Sequence, residues 1–364
     1  MKPPLGVQIA PWTPARTVYE TAPLLARAFD MVWVPDQLLA RNAQVLLAAL
    51  AAGGRIGVAS GIAVPLGRNP VDLASGMATI AELLPPDRPM VVGMGAGGSL
   101  VSGLFTKAGA TDLLRECVAL FRRLWSGEAV SIADYPNVAR QVRWRDGATA
   151  RLTYPVRRPL PIFAAVGGPR TMELVEEVAD GLICTTTYPA LSYAALGQGR
   201  LPAGIAAVAQ ARASAGRPLR MVYGLNICVS ADRSAARAAT RRQVALIVGN
   251  PALRSELAAA GLDDESLTAV RRAFAEGAGV VDAARQVSDD LIDAFVVSGT
   301  PDECVERLGH IVPAARAAGF GEFYLGAPLG PDLPEAAELL VNAVVPEIWS
   351  TTHSRGTTEA TCAA

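Results

Sequence analysis

Lysine and histidine are almost missing from this chain. Its 364 residues carry 33 basic side chains, yet the only lysines are Lys2 and Lys107, and the histidines are His310 and His353. A Schiff-base nucleophile therefore has one interior candidate, Lys107. Two distant imidazoles do not build a multi-histidine centre, so no metal is expected and metal-dependent amidohydrolase chemistry is excluded. Cysteine is sparse as well. Cys117, Cys184, Cys228, Cys304 and Cys362 form no CxxC pair, which reads as free thiols in a reducing compartment. Neither sign of charge is in excess: 33 basic residues face 34 acidic ones, and aromatics are 5% of the chain, so no nucleic-acid partner is expected. No stretch reaches the ~18 apolar residues of a membrane span, and MKPPLGVQIAPW lacks a signal-peptide core. The expected setting is the cytoplasm, with no membrane partner.

What the chain has is alternation, in a composition that is 51% hydrophobic. Short β-type runs cover Gly6–Ala10, Met31–Val34, Ile56–Val64, Met90–Gly95, Ile162–Val166, Gly181–Thr185, Arg220–Val229 and Glu322–Leu325. Helical periodicity fills the gaps between them, and a last helix is expected over Glu335–Val344. Runs such as MVVGMG and PIFAAV are apolar on both faces, as parallel strands covered by helices must be. Eight such units fit a (β/α)8 TIM barrel with insertions better than an open sheet. The barrel is expected as one domain over 1–349, with insertions near 126–161 and 251–294 and a flexible tail over 350–364. Val130–Ile132 and Val142–Trp144 are the β-like pieces of the first insertion. The second is helical and a candidate lid.

Four segments can carry chemistry at the C-terminal ends of barrel strands. In RIGVASGIAVPLGRNP, Ser60, Gly61 and Ile62 lie where a flat ligand could rest on backbone, or else the glycine is a bulge. MVVGMGAGGSL clusters glycines after a strand without the immediate helix that a dinucleotide fingerprint requires. In PIFAAVGGPRTMELVEEVADG, Gly167 and Gly168 turn the chain, Pro169 suits a first helical position and Arg170 adds a cation. That is either a phosphate site at a helix N-terminus or an ordinary turn. Asp36, after MVWVP, either bonds a ligand or caps the next helix.

Taken together, WVPDQL, RIGVASGIAVPLGRNP, MVVGMGAGG, PIFAAVGGPRTMELVEEVADGLI and VVSGTPDECVERL resemble, in order, the luciferase-like flavin and deazaflavin oxidoreductases. The sequence is most similar to the F420-dependent branch that contains methylenetetrahydromethanopterin reductase. The resemblance implies a (β/α)8 barrel, a homodimer, a small-molecule substrate and reduced F420 as cofactor. It also implies a cis peptide at Gly61–Ile62, Asp36 near the polar edge of the ring, and Gly95 and Ala96 on its other side. Val166, Gly167, Gly168, Pro169 and Arg170 would hold the phosphate. Thr300 reads as the cap of the helix that follows it.

Departures from the family pattern shape the expected reaction. Several deazaflavin enzymes carry His after the aspartate and Glu after the glycine cluster, where this chain has Gln37 and Gly98 or Ser99. An amide moves no proton near neutral pH, so an imine, iminium or conjugated C=C acceptor is expected before a carbonyl. Trp12, Gln37, Ser99, Tyr188 and Asn226 are candidates for the substrate side. The alternatives are an FMN-dependent monooxygenase on the same barrel and a barrel that binds its cofactor without catalysis.

Overall fold

Apolar runs become strands where helices can cover both of their faces. The structure, a computed structural model, describes residues 3–98, 104–106, 108–166, 169–185, 192, 193, 196, 203–262 and 265–348. In chain order the strands are β1 Leu5–Gln8, β2 Met31–Val34, β3 Gly57–Ala63, β4 Met90–Met94, β5 Val130–Ser131, β6 Thr149–Ala150, β7 Ile162–Ala165, β8 Gly181–Thr185, β9 Arg220–Val229, β10 Val297–Gly299 and β11 Glu322–Leu329. Parallel pairing runs β1, β2, β3, β4, β7, β8, β9, β11 and returns to β1, closing a (β/α)8 barrel. All eight correspond to strands read from the sequence. The last runs longer than expected, through a cis Ala327–Pro328 bond to Leu329.

Period-two alternation divides the side chains between two cores. Met31, Trp33, Ala59, Val91, Phe163, Ile183, Val222 and Tyr324 fill the barrel interior, while residues between them, such as Val32, Val58 and Val92, face the helices. The Trp33 and Tyr324 rings meet at 5.2 Å between centroids. Glycine makes room for them: a Cβ on Gly6 would stand 2.3 Å from Trp33 Nε1, and one on Gly224 2.3 Å from Tyr324 Cζ.

Helix starts follow their caps. Asn42 accepts from Val45 N–H, Asn69 accepts from Val71 N–H ahead of Pro70, and Thr300 forms a reciprocal capping box with Glu303. Among the described residues no helix is long and apolar enough to cross a membrane. The last helix spans Leu333–Leu339 and widens to a π turn over Leu340–Val344.

Both insertions differ in detail from expectation. In the first, Val142–Trp144 is not a strand: a helix occupies Pro136–Val142, Arg143 turns left-handed at φ 52°, and Val130–Ser131 pairs antiparallel with Thr149–Ala150. Glu116, on the helix Ala110–Trp125, accepts from the N–H groups of Asn137 and Val138 and so holds this insertion to the barrel. The second insertion packs short helices, from Arg254–Ala259 to Asp289–Phe295, around their own core beside Cys228 of β9. It ends in β10, a strand not foreseen, which pairs with Ile227–Val229.

Cys117, Cys184, Cys228 and Cys304 are free and buried. Burial pushes the Cys228 thiol up to about 11 and Cys304 up to about 12, from an ordinary 9.0. Above pH 9 the unfolded chain loses protons that the folded chain keeps, so this contribution to stability falls as pH rises through 11. Urea midpoints are expected to decline over that window, and these four thiols to resist disulfide reagents until denaturant is added. A midpoint that stays level across the window would contradict this.

Candidate active site

The C-terminal ends of β1 to β4 place Gln8, Asp36, Ser60, Gly61, Ile62 and Gly95 at one mouth of the barrel. Backbone bonds join them: Asp36 N–H donates to Ile62 O at 3.0 Å, and Gly95 N–H to Ala63 O at 3.1 Å. The Gly61–Ile62 peptide is cis, where the family resemblance puts it. Gln8 Nε2 donates to Gly61 O at 2.8 Å, and Ser60 Oγ to Gly93 O at 2.9 Å. Gly61 and Ile62 are the half-buried residues of an otherwise buried strand, so this part of the floor remains reachable from the mouth. Ile62 Cδ1 occupies the space beside Gly95, which a Cβ there would meet at 2.3 Å.

Asp36 is neither a helix cap nor a free ligand group. The next helix is capped by Asn42. The Asp36 carboxylate, 3% exposed, is clamped by Arg68: Nη2 donates to Oδ1 at 2.7 Å and Nε to Oδ2. Paired with Asp36, the Arg68 guanidinium is held still more firmly in its charged form. Arg68 was not singled out from the sequence, and its only signal there is a cation in the turn after β3. Gln141 of the first insertion braces that turn by donating to both Pro65 O and Arg68 O.

The pair also steadies a strained turn. Leu38 lies at φ 56°, a region that costs a bulky residue roughly 1–3 kcal/mol. Leu39 N–H donates across it to Gln37 O at 2.6 Å. Leu38 N–H reaches Asp36 Oδ1 at 3.2 Å, and the Leu38 side chain packs against Gly67. The turn presents Gln37, whose Oε1 is buried without a hydrogen-bond partner, as is Trp33 Nε1 in the barrel interior. A buried acceptor left unpaired costs about 1–3 kcal/mol, so a ligand that donates to Oε1 gains up to that much.

The remaining candidates are more scattered. Trp12 is 56% exposed on the loop after β1, so it is not core. Asn226 is buried on β9, in register with Gly326 of β11, and its carbonyl accepts from Tyr193 Oη at 2.8 Å. Tyr193 is a contact the sequence did not suggest. Val166 N–H is used by Ile183 O, and the helix Pro169–Glu177 begins directly after this end of β7 with Arg170 exposed. Gly167, Gly168, Ser99 and Tyr188 lie outside the described residues. Ala96 is half-buried beyond β4.

The sequence profile of the luciferase-like monooxygenase family matches residues 12–317. The chain belongs to that family. This luciferase-like chain is 29% identical over 335 residues to the 5,10-methylenetetrahydromethanopterin reductase of Archaeoglobus fulgidus, covering 88% of the chain and 92% of the relative. Its fold is similar to that of the F420-dependent tetrahydromethanopterin reductase of Methanopyrus kandleri, with TM-score 0.75 and 20% identity over 96% of this chain and all of that one. An F420-dependent secondary alcohol dehydrogenase, solved with an F420–acetone adduct, matches at TM-score 0.68 and 19% identity over 96% and 99% of the two chains. The unpartnered Gln37 Oε1 and the reachable Gly61–Ile62 floor fit a flat ring that carries a hydrogen-bond donor.

Proposed function

We propose that this luciferase-like protein is an F420-dependent oxidoreductase acting on an imine, iminium or conjugated C=C acceptor, with carbonyls less favoured. The observation that carries the reading is the lack of a free proton-transfer group among the described residues of the mouth. Asp36 is closed by Arg68, Ser60 Oγ is committed to Gly93 O, and Gln37 is an amide. Burial pushes the Tyr324 hydroxyl far above its ordinary range. An iminium suits such a site: hydride adds to carbon, the C=N π pair becomes the nitrogen lone pair, and a neutral amine forms with no proton needed. A neutral imine first takes its proton from solvent and reacts as the iminium, and a conjugated C=C draws its proton from solvent after hydride addition. A carbonyl asks for a proton at the developing alkoxide, which these side chains do not offer.

Bound reduced F420 supplies the hydride. Ser60, Gly61, Ile62, Gly95 and Ala96 would hold the ring, and Val166 to Arg170 the phosphate. Gln37 would pair with a polar edge above the floor, and the mouth loops would exclude water and orient the acceptor. Fluorescence titration of the apoprotein with F420 and with FMN tests this directly. F420 is expected to bind at least about tenfold more tightly, roughly 1.4 kcal/mol. Preferential FMN binding would overturn the reading in favour of oxygen chemistry. Tight F420 binding with no turnover across imines, enones and ketones would leave a cofactor-binding barrel.

A further inference from the structure

The first insertion reaches the mouth from outside the barrel. Its helix, Pro136–Val142, has no side-chain cap of its own. Glu116, on the helix Ala110–Trp125, supplies one: its carboxylate accepts from Asn137 N–H at 2.8 Å, from Val138 N–H at 3.0 Å and from the Asn137 side-chain amide. Val138 is fully buried in the core, so this end of the helix is fixed. At the other end Gln141 Nε2 donates to Pro65 O and to Arg68 O, which uses both of its amide protons. These two carbonyls bracket the single 3-10 turn Pro65–Gly67, whose own closing bond is Arg68 N–H to Pro65 O at 3.1 Å. One backbone bond gives such a turn little rigidity, so a donor that grips both of its ends decides where Arg68 points. From Arg68 the contacts run inward to the Asp36 carboxylate, and from there to Leu38 N–H in the turn that presents Gln37.

Resting on the function proposed above, we infer that Gln141 is a positioning residue for the cofactor site: acting through Arg68 and Asp36, it fixes the turn that offers Gln37 Oε1 to the F420 ring. The insertion is then a strut, anchored on the barrel wall at Glu116 and braced against the mouth at Gln141. Without the brace the Arg68 turn gains freedom, the clamp on Asp36 loosens, and Gln37 meets the ring in a broader range of positions. Ordering it again on binding costs free energy, so cofactor affinity falls.

The test compares two ways of loosening the same insertion. Gln141→Met keeps the side-chain length and removes both donors. Tyr154→Phe removes a tie to the barrel wall away from the mouth turn, where Tyr154 Oη donates to Ser75 O at 2.9 Å and lies 3.0 Å from Thr79 Oγ1. Both variants and wild type are followed by amide hydrogen exchange with mass spectrometry on the apoprotein, and by fluorescence titration with F420. Gln141→Met is expected to speed exchange in peptides over 36–39 and 65–68 about tenfold and to weaken F420 binding about fivefold, while the thermal midpoint falls by only about 2–4 °C. Tyr154→Phe should lower the midpoint by a similar amount and leave both exchange over 36–39 and F420 binding at wild-type values. Wild-type exchange over 36–39 in Gln141→Met overturns the inference, whatever the cofactor does. So does unchanged F420 affinity in that variant, or equal weakening by both variants, which would reduce the brace to docking of the insertion. Failure of wild-type protein to bind F420 overturns the proposed function instead, and the exchange rates then decide alone whether Gln141 holds the turn.

Discussion

Arg68→Ala is expected to destabilise the protein by about 3–5 kcal/mol, because it strands a buried carboxylate. Asp36 is 3% exposed and would keep only the Leu38 N–H at 3.2 Å. Replacing both partners by apolar residues, as in Asp36→Leu/Arg68→Met, should cost far less, since no charge is then left unpaired. Function separates the two roles of the pair. Without the clamp the Leu38 turn relaxes and Gln37 loses its position, so the double variant should fold yet show raised KM for its acceptor. Urea unfolding of wild type, both single variants and the double variant completes the cycle. Additive costs would show that the pair is not coupled.

Gly93→Ala and Gly95→Ala are expected to differ sharply although they sit two residues apart. A Cβ on Gly93 would stand 2.3 Å from Ser60 O and 2.8 Å from Ile183 Cδ1. The carbonyl belongs to the strand bonded to β4, and Ser60 Oγ already donates to Gly93 O, so neither strand has room to withdraw. The expected loss is about 3 kcal/mol or more, at the upper end of overpacking costs. On Gly95 the close neighbour is Ile62 Cδ1, also at 2.3 Å, which is the tip of a side chain that can rotate away. That variant should lose only about 1 kcal/mol. Its effect falls on the floor of the mouth, where a displaced Ile62 should weaken F420 binding about tenfold. If Gly93→Ala unfolds at the wild-type midpoint, this account of β3–β4 packing is wrong.

Much of the barrel was legible because its strands are covered on both faces and therefore read as unbroken apolar runs, as in MVVGM and GLICT. The Thr300 cap was legible because it acts on Glu303, within three residues of chain. β10 was not, because three residues are too few to show a period, and its pairing with Ile227–Val229 is set by helices packed elsewhere. Of the β5–β6 pair, β5 showed as the β-like piece Val130–Ile132, but its partner Thr149–Ala150 did not, because a helix intervenes and the alternating Val142 and Trp144 imitated a strand.

At the mouth, residue types were determined by the sequence alone: glycines where backbone must be approached, an aspartate and an amide after β2, and no histidine to move a proton. The tertiary structure decided which of these are available. Arg68 reaches Asp36 across 32 positions, and Gln141 reaches the same turn from an insertion, contacts that no local pattern encodes. They remove Asp36 from the set of free ligands and leave Gln37 Oε1 buried without a partner. Local propensity acts over a few residues, whereas the pairing of a buried charge depends on which loops the closed barrel brings side by side.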